Sequence, residues 1–194
     1  MAHDVRTRIL DATVEASTIH GLVRLSITDV AQRAGVSRVT LYKHFANKDD
    51  LIAASVLREA TAIIDGALVA AAPHDRPADA LEAGILATLI ALRDHPLLDR
   101  LIRTEPESLT PLLIADGGPV VGLVRGAISS LVESKLGALD DVTARRLSDI
   151  IGRLLISFAL ITPDDPPEVV AASVSTFLID GVINQVDRHP RGSS

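Results

Sequence analysis

Thr40, Tyr42, His44 and Lys48 crowd hydroxyl, imidazole and ammonium donors into one short stretch of the chain. Donors of these types suit an anion. If Lys48 opens a helix, its charge adds to the positive end of the helix dipole, where backbone N–H groups already point outward. Interleaved with them are Arg38, Val39 and Lys43. On the exposed face of a short helix these could reach base edges in a major groove, with Arg38 or Lys43 donating to guanine and Val39 packing on a thymine methyl. Only three lysines occur, at 43, 48 and 135, and two of them fall here. A merely solvated face would explain that pair equally well.

The elements that must position these side chains follow from periodicity and stop signals. Ile9, Leu10, Ala12, Val14 and Ala16 predict a first helix over 5–19, closed by Gly21. Ser26 precedes a second over 27–34, with Asp29 where a capping-box partner would stand, and Gly35 closes it. After Gly35-Val36, Ser37 can cap the orphan N–H groups of a short third helix, 38–44. Asn47, with Asp50 three residues on, can cap a long fourth helix that ends before Pro73. Two short helices about a glycine turn are the ingredients of a helix-turn-helix, whose second helix enters the major groove. The same pattern also occurs in proteins that never touch DNA.

Residues 27–51, ITDVAQRAGVSRVTLYKHFANKDDL, resemble the TetR-family signature, which runs approximately T-x-x-x-I-A-x-x-A-G-V-S-x-G-T-L-Y-x-H-F-x-x-K-x-x-L. The matches are Ser26, Val30, Ala31, Ala34, Gly35, Val36, Ser37, Thr40, Leu41, Tyr42, His44, Phe45, Lys48 and Leu51. Resemblance covers residues 6–51, since ILDA at 9–12 and Gly21 fit the family's first helix. Val39 stands where the family has glycine or another small residue, and Ser17 where its first helix usually has phenylalanine. The likeness implies that Thr40, Tyr42, His44 and Lys48 contact phosphates, which position a protein without reading sequence. Ser37, Arg38, Val39 and Lys43 complete the expected DNA-binding set. Arg6 and Arg8 would reach phosphate or minor groove, or lie on a solvated terminus. Val30, Ala31, Ala34, Val36, Leu41, Phe45 and Leu51 should form the scaffold.

The expected architecture is all-α: an N-terminal three-helix DNA-binding domain with a helix-turn-helix (1–47), a linking helix (48–72), and a C-terminal helical ligand-binding and dimerisation domain (73–190). Pro and Gly divide the last part into predicted helices 77–94, 97–104, 107–115, 119–138, 141–161 and 167–187. The resemblance implies a homodimer through 141–161 and 167–187. Small residues there, Ser148, Gly152, Ser157 and Ala159 with Ala171, Ala172, Ser175 and Gly181, would allow close approach of helices or ordinary packing within the chain. Leu155 and Leu178 are the positions where a charge should yield monomers. Ile85, Leu89, Leu101, Leu112, Leu113, Val124, Ile128 and Phe158 are expected to line an effector pocket. With no Trp and the single Tyr in the DNA-reading stretch, an aliphatic or acyl-bearing ligand is favoured over a flat polycyclic one. Arg103 and Arg125, like Glu105, Asp149 and Arg153, would orient a ligand's polar end, lie on the surface, or form ion pairs.

Composition limits the alternatives. Aliphatic residues and alanine abound while aromatics are few, a mixture that favours helices over strands. The net charge of −6 argues at first against nucleic acid, but residues 1–50 carry seven Lys and Arg against six Asp and Glu, whereas 51–194 carry twelve against nineteen. Acidity belongs to the back of the molecule. There is no cysteine, and the histidines at 3, 20, 44, 74, 95 and 189 lack ligand spacing, so neither a metal nor another cofactor is expected. MAHDVRTRIL lacks the apolar core of a signal peptide, and no run approaches the ~20 apolar residues of a membrane span, so a cytoplasmic chain without membrane contact is expected. No nucleophile elbow, phosphate loop or Cys/His pairing supports an enzyme. A helical adaptor that keeps the helix-turn-helix for protein contacts is the other alternative. Together these features predict a sequence-specific transcriptional regulator, a repressor released from an inverted-repeat operator by a small apolar effector.

Overall fold

In the computed structural model, which describes residues 4–109, 118–137, 139–161 and 163–188, every regular element is helical. The order is α1 (Val5–His20), α2 (Ile27–Arg33), α3 (Arg38–His44), α4 (Lys48–Ala71), α5 (Pro77–Asp94), α6 (Pro96–Thr104), a 3₁₀ turn (Pro106–Leu109), α7 (Pro119–Lys135), α8 (Asp141–Leu160) and α9 (Pro167–Arg188). Four of these helices begin on a proline, whose fixed φ suits the first position and whose missing N–H would have no partner there. Side chains cap several others. Ser26 accepts from the Asp29 amide, Asn47 from Asp50 at 2.8 Å, and Asp140 from Val142 and Thr143. Each such cap contributes about 1 kcal/mol. Asp29 does not reach back as a capping-box partner; its carboxylate takes the Arg33 guanidinium at 2.9 Å instead.

The described residues form two compact units. One contains residues up to Thr61 together with those from Asp94 to Val120; the other contains Ala62–Arg93 and the residues from Val121 onward. In the first, α1, α2, α3 and the start of α4 enclose Ile9, Leu10, Ala16, Leu25, Val30, Ala31, Leu41, Phe45 and Leu51. The predicted scaffold residues Ala34 and Val36 pack with them. Ser17 is fully buried in the place of the family's phenylalanine, and its hydroxyl has no hydrogen-bond partner among the described residues.

Helix α6 belongs to this first unit and packs on α1. The predicted start at 97 moves back one residue, because Pro96 takes the first position and His95 is the cap, its Nδ1 accepting from the Leu98 amide at 3.3 Å. The proton of the neutral imidazole is then on Nε2, which donates to Glu59 of α4 at 3.0 Å. Glu59 is held below the ordinary carboxylate range by that bond first, against the opposing effect of burial, and by Arg58 as well.

In the second unit Leu81, Ile85, Leu89, Ile128, Val132, Leu147, Ile151, Val170, Ala171 and Ile179 make a purely aliphatic core. Gly84 lets α5 lie close to the end of α4, where a Cβ would already be in contact with the Ala67 carbonyl and the Ala71 side chain.

Candidate nucleic-acid interface

The turn between α2 and α3 sets the geometry of the reading head. Gly35 has φ +64°, the left-handed conformation that ends a helix cheaply only in glycine. The Val36 amide bonds back to the Ala31 carbonyl at 2.9 Å, and Gly35 to Gln32 at 3.1 Å, so the last carbonyls of α2 are satisfied. Two residues later Ser37 caps α3, accepting from the Thr40 amide at 3.0 Å. Chain direction therefore changes within three residues, and α3 emerges with one face fixed.

That inner face is Leu41, fully buried, followed by Phe45 at the helix end. On the outer face Arg38, Val39, Tyr42 and Lys43 are exposed, Val39 to 68% and Tyr42 to 44%. An apolar valine so open to water has no packing role in the chain. Thr40 and His44 are half-buried, and the Thr40 hydroxyl shares a 2.9 Å hydrogen bond with Ser37. The structure thus brings Ser37, Arg38, Val39, Thr40, Tyr42, Lys43 and His44 onto one short helix and its cap. Lys48 opens α4, and its ammonium donates to the Val23 carbonyl at 2.9 Å.

Sequence reasoning missed the fixings around this surface. Arg6, left between DNA and solvent, instead donates to the His44 carbonyl at 3.1 Å and lies 4.5 Å over the Phe45 ring. It closes the carbonyl end of α3 and adds a cation–π contact. Arg33 bridges Asp29 and Glu15, tying α2 to α1 at 2.9 and 2.6 Å. The Arg6–His44 and Arg33–Glu15 contacts join residues too far apart in sequence to show as spacing, whereas Asp29 and Arg33 are an i,i+4 pair. Arg8 is exposed.

The expected effector residues divide. Ile85, Leu89, Val124, Ile128 and Phe158 meet in the aliphatic core of the second unit. Leu101 is fully buried in the first unit, on α6. Arg103 is exposed and paired with Asp99 at 3.1 Å, Arg125 is exposed, and Arg153 pairs with Asp149 at 2.8 Å. Leu112 and Leu113 lie outside the described residues. A narrow crevice among α5, α7, α8 and α9 is lined by Pro77, Leu81, Ile128, Leu131, Leu147 and Ile151, with Lys135 as the one charged neighbour among the described residues. Among the described residues of the expected set, only Ile128 borders it.

On α8 and α9, half of the small residues expected between subunits are used inside the chain. Ser148, Gly152, Ala171 and Ser175 are buried, and a Cβ on Gly152 would touch Val124 and Ile128. Ser157 and Gly181 are exposed. So are Ile150, Leu160, Val169 and Phe177, the last to 77%. Leu155 and Leu178 pack against the unit's own core. Among the described residues no cluster of three or more His, Asp or Glu could hold a metal ion, and no helix is long and apolar enough to cross a membrane.

An all-helical chain whose capped helix pair presents a polar, basic helix is a helix-turn-helix protein of the DNA-binding class. Residues 9–55 match the family model for bacterial regulatory proteins of the tetR family, and 76–179 match that for the bacterial tetracyclin repressor C-terminal domain. The chain belongs to the TetR family of transcriptional regulators. It is 28% identical over 174 residues to an uncharacterized HTH-type transcriptional regulator of Mycobacterium tuberculosis, covering 89% of this chain and 82% of the relative. The HTH-type regulator AlkX of the same species is 26% identical over 172 residues, covering 86% and 80%. Among solved structures, the TetR family repressor AlkX from Dietzia, implicated in biodegradation of n-alkanes, shares the fold with a TM-score of 0.77 at 24% identity, covering 95% of this chain and 98% of that one. The regulator FadR from Bacillus subtilis, in complex with stearoyl-CoA, matches with a TM-score of 0.60 at 15% identity, covering 90% and 98%.

Proposed function

We propose that the protein is a homodimeric repressor that reads an inverted-repeat operator with α3 and leaves it when a small, largely apolar effector binds the helical region 73–190. Reading is assigned to residues 1–47, and the linking role to 48–72. Thr40, Tyr42, His44 and Lys48 engage phosphates, Arg38, Val39 and Lys43 discriminate bases, and Ser37, the cap of α3, completes the DNA-binding set. The observation that carries this reading is the outer face of α3, where a cationic pair and an exposed valine stand on a helix whose other face is fully packed. Two-fold pairing through 141–161 and 167–187 would present two such helices to successive major grooves about 34–36 Å apart. The exposed Ile150, Leu160, Val169 and Phe177 give that pairing its apolar surface.

The mainly aliphatic core in which Ile85, Leu89, Val124, Ile128 and Phe158 meet favours a ligand with a hydrocarbon chain. A structural relative implicated in n-alkane biodegradation and another in complex with stearoyl-CoA point the same way. Selection from a random duplex pool tests the DNA reading: the expected product is an inverted repeat, and recovery of unrepeated asymmetric sites would contradict it. Adding n-alkanes, fatty acids or acyl-CoA esters to the selected complex then tests release. A panel that leaves the complex intact at saturating concentrations would remove the effector class.

A further inference from the structure

Glu105 follows α6 directly, and its side chain is directed at the turn between α1 and α2, some eighty residues earlier in the chain. Its Oε2 accepts from the Leu22 amide at 2.7 Å and from the Val23 amide at 3.1 Å. Glu105 is buried, 9% exposed as a residue. Gly21 makes the approach possible: with φ +82° it takes a conformation that side chains avoid, and a Cβ there would overlap the Glu105 carboxylate. The same turn is held from its other side, where the Val23 carbonyl accepts from Lys48 at 2.9 Å. Val23 thus gives its amide to Glu105 and its carbonyl to Lys48. Arg100, five residues before Glu105, adds a bond to the Thr18 carbonyl at 3.3 Å, so α6 grips the end of α1 as well.

The Leu22 bond is buried and the Val23 bond partly so, and a backbone amide taken out of water must find an acceptor. The Glu105 carboxylate supplies both, closely at Leu22 and at an ordinary hydrogen-bond distance at Val23. The consequence reaches the DNA-facing side. An ammonium on four methylenes is free to wander, and one tethered by a fixed carbonyl keeps its remaining donors in a defined place.

We infer that Glu105 is a positioning residue for DNA binding: by holding the 21–23 turn through two backbone amides, it fixes the carbonyl that orients Lys48 toward phosphate. The inference rests on the phosphate role proposed for Lys48. Glu105 touches no DNA itself, so its effect must pass through position 48.

A double-mutant cycle on the full chain reads that coupling, with a labelled mixed-sequence duplex as probe and binding followed at several salt concentrations. Glu105→Asp keeps the charge but withdraws the oxygens by one methylene. At about 0.1 M salt one phosphate contact is worth up to roughly tenfold in affinity, from a slope near 0.9 per phosphate. Glu105→Asp is expected to weaken binding about three- to tenfold per subunit when Lys48 is present, and not at all when position 48 is Ala. An equal fall in both backgrounds, or no fall in either, overturns the inference. Should Glu105→Asp melt below the assay temperature, Glu105→Gln takes its place; it keeps the reach and is expected to show the same sign of coupling at smaller size. A cycle with Gln that shows no coupling is equally fatal. If Lys48→Ala alone changes neither affinity nor salt slope, the phosphate role of Lys48 fails, and the route from Glu105 to DNA falls with it.

Discussion

The two compact units of this chain are built to different degrees of specification. In the reading head nearly every turn is fixed by an identifiable side chain: Ser26, Ser37 and Asn47 as caps, Gly35 at positive φ, Arg6 over Phe45, Arg33 between two acids. The second unit is held by aliphatic packing with few polar fixings, and it leaves Ile150, Val169 and Phe177 in water. The contrast fits what each is proposed to bind. Phosphates and base edges have constant geometry, so the residues that meet them are set by type and place. An apolar partner, whether a ligand or a second subunit, asks only for shape and area, which many sequences supply.

The contrast would break first at the core of the reading head. Leu41→Ala opens a cavity beneath α3 and should cost about 2–5 kcal/mol, a large share of a domain's stability, lowering the denaturation midpoint and weakening DNA binding strongly. The same truncation at half-buried Leu155 should cost less and leave DNA binding measurable. Comparable denaturation midpoints for the two variants would show the units to be equally specified.

Assembly is the next test. Phe177→Glu places a charge where 77% of the side chain is open, so it should leave the monomer fold intact while converting dimer to monomer in sedimentation velocity. Leu155 and Leu178 are poorer probes because each packs on its own core. A Phe177→Glu protein that sediments as a stable dimer would move the interface elsewhere.

The Leu155 case shows where legibility ends. The helix-turn-helix could be read closely because its caps and glycine are local: Ser37 lies three residues from the amide it caps, and Gly35 ends its own helix. Helix boundaries elsewhere shifted by a residue or so, and α7 stops at Lys135, short of the predicted 138. Contacts between distant segments were invisible. Nothing in spacing could pair Glu105 with the 22–23 amides, His95 with Glu59, or Arg6 with the end of α3. On α8 and α9 a small residue suits close approach on either side of a helix, so Ser148 and Gly152 gave no sign that they face inward.

A smaller effect tests whether the reading head is fixed everywhere. Ser17 buries a hydroxyl that has no partner among the described residues, so Ser17→Ala should raise the melting stability by about 1 kcal/mol. A loss of stability there would mean that the hydroxyl is satisfied in solution. The last effect is one of pH. Because Glu59 is held below its ordinary value near 4.5, its contribution is present above that pH and is lost as pH falls through the lowered folded value. Glu59→Gln should therefore be less stable than the native chain at neutral pH, and the difference should narrow on acidification below about pH 4.5. Melting curves whose separation does not depend on pH would rule out that contribution.

The chain has one tyrosine and no tryptophan, and that tyrosine is Tyr42 on the outer face of α3. Its natural fluorescence therefore arises from a single place, the surface assigned to DNA. Emission intensity, anisotropy and quenching by iodide would each report on that helix alone, without a dye and without altering a residue. A ligand that never comes near α3 but loosens it would announce itself in the same signal, so the protein carries its own optical gauge of the step that matters for regulation.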